Sequence, residues 1–134
     1  DGKIVVAGNS TGANLDFAVV RYNTDGSLDL TFSADGIQTT DIGSDDYVRP
    51  VAIQADGKIV VTGYSFNGAN WDFAVVRYNT DGSLDLTFSA DGIQTTDFGS
   101  SNDYGNSVAI QADGKIMVTG YTGNGTNEDF DVMR

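Results

Sequence analysis

The segment DFAVVRYNTDGSLDLTFSADGIQTTD stands at residues 16–41 and returns without a change at 72–97, an offset of 56 residues. A shorter marker appears three times, as DGKIVVAG from Asp1, DGKIVVTG from Asp56 and DGKIMVTG from Asp113. A unit of 55 to 57 residues repeated about 2.4 times has to be a row of similar modules that bury their faces against one another. The units run over approximately 1–49, lacking a first strand, then 50–106, then 107–134, which is incomplete. Their lengths differ in two places, NSTGANLD against YSFNGANWD and IGSDDYVRP against FGSSNDYGNS, and both stretches are therefore read as loops.

Each unit holds four strand candidates, marked by β-branched and aromatic residues between turn signals. They are SVAIQA at 107–112, KIVVTGY at 58–64, FAVVRY at 73–78 and IQTTDF at 93–98. The first two are joined by Asp-Gly, as in Asp56-Gly57, which predicts a type I′ hairpin with positive φ at both central residues. Asn79-Thr80-Asp81-Gly82 predicts another turn, and Pro50 is placed at the start of a strand, where a missing N–H is tolerated. KIVV and FAVV are apolar at consecutive positions, so both faces of these strands need cover, whereas IQTTD is polar. Covered middle strands beside a wet outer strand describe a β-propeller blade. A flat solenoid coil would have a shorter period and no Asp-Gly hairpins, and an immunoglobulin-like sandwich would not repeat its sequence. The expected fold is all-β, with antiparallel four-stranded propeller blades, about 2.4 of them in this chain. A closed ring of four to eight blades at this period needs at least about 220 residues. The expected partners are therefore further blades of the same protein or neighbouring copies.

Composition narrows the chemistry. Against 7 Lys and Arg stand 19 acids, for a net charge of −12, and all but Glu128 are Asp. Asp competes with helical backbone and favours turns, so most of this excess is turn chemistry copied with each unit. Cys and His are both absent, which excludes disulfides, thiol nucleophiles, the Ser-His-Asp triad and imidazole metal sites. No basic cluster is available to neutralise phosphates, and no apolar run approaches the roughly 18 residues of a membrane helix, so neither nucleic-acid binding nor membrane insertion is expected. With neither an initiator Met nor a signal peptide, the chain is expected to be excised from something longer.

The pattern VAIQADGKIVVTG, then DFAVVRYNTDGSLDLTF, then DGIQTTDFG resembles the bacterial delta-60 repeat over essentially the whole chain. The resemblance implies propeller blades in a large secreted or surface protein. It carries no catalytic residues over to this sequence.

Five groups of residues are candidates for chemistry. Asn23, Asp25, Ser27 and Asp29, repeated from Asn79 through Asp81 to Asp85, place oxygens at alternate positions, as a calcium loop does. Against this, Gly26 stands at position 4 rather than 6 and Ala34 occupies position 12 where a bidentate Glu belongs, which favours a turn in which Asp29 bonds nearby N–H groups. No cofactor is expected, with Ca²⁺ at this loop as the alternative. SADGIQTT, at Ser33 and Ser89, resembles an Asp box with its Gly displaced, so Asp35 and Asp91 are expected to bond turn backbone. Paired carboxylates suit glycoside hydrolysis, yet nearly every acid recurs at a turn, leaving Asp45, Asp46, Glu128 and Asp131 as unrepeated ones. No enzymatic activity is expected. Tyr64, Phe66, Asn67, Asn70 and Trp71, with Tyr121, Asn124 and Asn127 in the next unit, are read as exposed aromatics beside amides that suit a sugar ring; packing of Trp71 between blades, where Leu15 stands in the first unit, is the competing reading. Asn124-Gly125-Thr126 and Asn9-Ser10-Thr11 match the glycan-acceptor pattern. Arg21 and Arg77, in otherwise apolar strands, are expected to pair with Asp residues of the hairpin.

The functional expectation is a non-enzymatic scaffold of an extracellular or cell-surface bacterial protein, presenting variable blade loops to surface proteins or glycans. Assembly through open strand edges and a carbohydrate-binding or hydrolase propeller are the alternatives.

Overall fold

The computed structural model describes residues 2–99, 101–123 and 128–134. These form ten strands, and no helix among them is long and apolar enough to cross a membrane. The first sheet contains β1 (Ile4–Thr11), β2 (Leu15–Tyr22) and β3 (Ile37–Thr40). The second contains β4 (Asp46–Ile53), β5 (Ile59–Phe66), β6 (Trp71–Tyr78) and β7 (Ile93–Thr96), and the third β8 (Asn102–Ile110), β9 (Ile116–Gly123) and β10 (Glu128–Met133). Neighbours pair antiparallel in chain order, so the middle sheet is a complete four-stranded blade and the flanking sheets carry three strands each.

The consecutive apolar residues of β5 and β6 divide between two interfaces because successive side chains of a strand point to opposite faces. Ile59, Val61, Ala74, Val76 and Tyr78 pack with Phe17, Val19 and Phe32 of the first blade. Val60, Phe73 and Val75 pack with Val118, Val108 and Ile116 of the third. The same Ile-Val-Val run in β1 behaves differently, since Ile4 and Val6 are 51% and 48% exposed where Ile59 and Val61 are 1% and 0%. Full burial of such a side chain contributes roughly 1.5–3 kcal/mol, and only a neighbouring blade supplies it.

Several local expectations change. Gly57 and Gly114 have φ of 85° and 82°, but Asp56 and Asp113 are not in the positive-φ region. With Gly57 N–H bonded to the Gln54 carbonyl and Gln54 N–H to that of Lys58, the loop is a type I turn closed by one left-handed glycine, not type I′. Pro50 lies within β4 rather than at its start, where the register shifts between Val48 and Val51; a bulge tolerates its missing N–H. The stretches read as loops are partly strand: β4 opens at Asp46 and β8 at Asn102, ahead of the strand starts expected at 50 and 107. The extra residue of the later junction falls between β7 and β8, and β8 carries the same bulge, between Gly105 and Ser107.

The innermost strand crosses its neighbour at a glycine. A Cβ on Gly63 would lie 1.9 Å from the Tyr47 carbonyl oxygen, and one on Gly120 equally close to that of Tyr104, whereas Gly8 has open space. Gly63→Ala is expected to destabilise the chain by at least about 3 kcal/mol by forcing backbone apart, and Gly8→Ala by less than about 0.5 kcal/mol. Urea unfolding of the two variants checks this, and equal effects would refute the crossing as the cause.

Candidate functional site

Three arrangements of polar and aromatic side chains recur from blade to blade. The first is a cation cage. Asp29, almost fully buried, receives Lys3 Nζ at 2.7 Å and Arg21 Nε at 2.6 Å on Oδ2, while its Oδ1 accepts from the Thr31 N–H and hydroxyl. Asp85 repeats this with Lys58, Arg77 and Thr87. The guanidinium carbons of Arg21 and Arg77 lie 4.8 and 4.9 Å from the ring centres of Phe32 and Phe88. Arg21 and Arg77 thus meet the hairpin acids as their sequence context predicts, and the lysines of the DGK marker join them. In the third unit Lys115 and Arg134 both approach Asp113 instead.

The loop considered for calcium is built around these cages. Asp25 and Asp81 accept from the N–H and hydroxyl of Ser27 and Ser83. Asn23 takes Lys3 on Oδ1 and donates to Ser27 and the Leu28 carbonyl; Asn79 donates to Ser83 and the Leu84 carbonyl. A metal here would have to displace Lys3 or Lys58 from the buried carboxylate. Asp35 and Asp91 accept from Ile37 and Ile93 N–H, the turn-backbone role expected for them.

The second arrangement is an aromatic run. Tyr47 stacks on Tyr64 with ring centres 5.3 Å apart, and Trp71 meets Tyr47, Tyr64 and Phe66 at 5.4, 5.3 and 5.0 Å. Tyr64 continues edge-on to Tyr104 at 4.9 Å, and Tyr104 to Tyr121 at 5.0 Å, so the run passes from the second blade into the third. Arg49 reaches the Tyr64 hydroxyl at 3.0 Å and lies over its ring. Tyr64 is buried, not exposed as expected, while Tyr47 is exposed. The amides of the hairpin are engaged within the protein: Asn67, exposed, caps its own turn and bonds Asn70 and Asp72, and the half-buried Asn70 donates to the Ser101 carbonyl. Asn124 and Asn127 lie outside the described residues. Tyr47, Arg49 and Tyr104 escaped the sequence reading because their stretch was read as loop, although an Asp-Tyr pair in both DDY and NDY marks it.

The third arrangement stands where one blade hands over to the next. Asp16, Asp41 and Asp46 each offer a carboxylate oxygen, all within 4.8 Å of one another, and Asp72, Asp97 and Asp103 repeat the group. Asp46 is therefore not an unrepeated acid; Asp103 is its counterpart, as Asn102 is that of Asp45. Asp45 accepts from the Leu15 N–H and Asn102 from that of Trp71. Burial pushes the Asp46 carboxyl above its ordinary range, opposed by hydrogen bonds from Ser65, Ile42 and Gly43 and reinforced by the charge of Asp41. Burial likewise raises Asp72, opposed by Asn67 and reinforced by Asp97 and Asp103.

A groove of about 550 Å³ between the second and third blades is lined by Phe88, Gln94, Ile116 and Met133 among others. At the preceding junction Tyr78 bonds Thr40 at 2.7 Å and the Asp81 carbonyl accepts from Ser33 N–H, closing over Phe32.

A family model described as a domain of unknown function (DUF5122) β-propeller matches residues 1–32, 54–88 and 111–134. The first two segments contain both cation cages whole. No curated protein matches the chain.

The cages set an acid limit on stability. Lys3 and Lys58, with the Thr31 and Thr87 hydroxyls, hold the Asp29 and Asp85 carboxyls well below the ordinary value of 3.8. Because folding depresses these values, the stability they supply is present above pH 3.8 and is lost as the pH falls below it. Urea unfolding from pH 5 to pH 2.5 should show stability falling with acid, with a shallower slope in Asp85→Asn; equal slopes would remove the cage as the cause.

Proposed function

Since the chain belongs to the DUF5122 β-propeller family, we propose that it is a non-enzymatic scaffold whose blades present an aromatic contact surface to a protein or glycan partner. The observation that carries this reading is the run from Trp71 through Tyr47 and Tyr64 to Tyr104 and Tyr121, which spans two blades with Tyr47 exposed. Aromatic faces beside an arginine suit stacking on a sugar ring or on the side chains of a protein. The recurrence of acids at corresponding positions of successive units supports structural roles for them, in keeping with a chain that does no hydrolysis. The likeness of the repeat to delta-60 sequences supports a bacterial protein at the cell surface or outside the cell, and the net charge of −12 suits a soluble surface that repels nucleic acid.

Further blades, from the same protein or a neighbouring copy, are the partners we propose for the exposed face of β1. The support is that Ile59 and Val61, which match Ile4 and Val6, are covered by an adjacent blade.

A glycan array probed with the chain should retain it on a subset of glycans, and Tyr47→Ala should weaken retention at least about tenfold while leaving the melting temperature within a few degrees. A blank array overturns the glycan assignment, and unchanged retention in Tyr47→Ala moves the contact off the aromatic run.

A further inference from the structure

We propose that each blade-to-blade junction is a divalent-cation site suited to Ca²⁺, formed by Asp16, Asp41 and Asp46 between the first and second blades and by Asp72, Asp97 and Asp103 between the second and third. The three acids of each group come from both sides of the junction. Asp16 and Asp41 belong to β2 and the residue following β3, whereas Asp46 opens β4 of the next blade; Asp72, Asp97 and Asp103 occupy the same places one unit on. An ion shared among them would add a third tie between sheets that already meet through apolar packing and a few hydrogen bonds.

The separation fits one ion. Calcium–oxygen bonds of about 2.3–2.6 Å put two ligands on opposite sides of the ion about 4.6–5.2 Å apart, and every oxygen pair in these groups lies within 4.8 Å. Three carboxylates in one place repel one another strongly in the absence of a cation, and the ion pairs among the described residues go to Asp29, Asp85 and Asp113 instead. The second and independent observation is unused bonding capacity. Asp46 has 0% exposure and Asp72 8%, yet Oδ1 of each has no hydrogen-bond partner, and neither does the buried Oδ1 of Asp16. Buried acceptors are almost always satisfied, and an orphaned carboxylate oxygen in a carboxylate cluster is the acceptor a cation fills. The remaining oxygens are oriented: Asp46 Oδ2 accepts from Ile42 N–H at 2.7 Å, Asp103 Oδ2 from Phe98 N–H at 2.8 Å, and Asp103 Oδ1 from the Thr122 hydroxyl at 2.6 Å. Asp41 and Asp97 are exposed at the rim, which leaves a way in from solvent. An all-oxygen, carboxylate-rich site with neither Cys nor His selects a hard cation, and its irregular geometry fits Ca²⁺ better than the octahedral demand of Mg²⁺.

Calorimetry of the EDTA-treated chain with CaCl₂ tests this. The expected result is about two ions per chain and, at saturating Ca²⁺, a rise in melting temperature on the order of 10 °C. Asp46→Asn and Asp72→Asn should each reduce the stoichiometry from two to one, whereas Asp81→Asn in the surface turn should leave it at two. A sign reversal separates a metal site from acids that merely share protons. In EDTA, Asp46→Asn relieves repulsion and melts above the wild type, and in saturating Ca²⁺ it melts below. Should the buried-site variants fail to fold, Asp41→Asn and Asp97→Asn at the exposed rim carry the same expectation. No heat and no shift with Ca²⁺, a shift that Asp81→Asn alone abolishes, or an Asp46→Asn variant that stays the more stable in saturating Ca²⁺ would each overturn the proposal.

Discussion

Everything in this molecule depends on strands that are apolar on both faces. In β5 and β6 the pleat sends Ile59, Val61 and Val76 one way and Val60, Phe73 and Val75 the other, so a single sheet cannot satisfy its own residues. The blade becomes stable when sheets flank it. This requirement accounts for the repetition of the sequence, since a neighbour that offers the same surface can be produced by copying the unit. It also accounts for the glycines at 63 and 120, which let the bulged inner strand lie directly on the strand beside it.

Charge is handled by position. In the first two blades the buried Asp29 or Asp85 is matched by a lysine and an arginine, and the ion pairs join strand, hairpin and turn into one unit. At the junctions, carboxylates from adjoining blades converge, and the ion pairs among the described residues lie elsewhere. The two environments therefore act in opposite directions: the cages favour ionisation of Asp29 and Asp85, whereas burial disfavours it at Asp46 and Asp72. The same residue type serves as an anchor in one place and as a concentrated negative site in the other because of what lies within a few ångströms of it.

Much of this was legible from the residues. The offset of the repeat, the Asp-Gly turns and the consecutive apolar runs predict four-stranded antiparallel blades, and the lone arginines in apolar strands predict their acid partners. The junctions were harder to read. An insertion between β7 and β8 put Asp46 and Asp103 out of step with the rest of the unit, so a repeated acid looked unique and a strand looked like a loop. The Asp-Gly turn misled for a different reason. The dipeptide is compatible with either of two hairpin loops, and only the hydrogen bonds of Gln54 and Gln111 with Lys58 and Lys115 distinguish a single left-handed glycine from a pair of left-handed residues.

Local sequence thus determined the strands, their turns and the need for neighbours, because propensity and alternation act between residues close in the chain. Tertiary structure decided burial and juxtaposition. Ile4 and Ile59 stand in the same DGKIVV context with opposite exposure, and Tyr64, in a stretch that reads as an exposed loop, is buried against Tyr47 and Tyr104. The acid triads belong to the same category: Asp16 is 30 residues from Asp46, and only the packing of one blade on the next brings their carboxylates together.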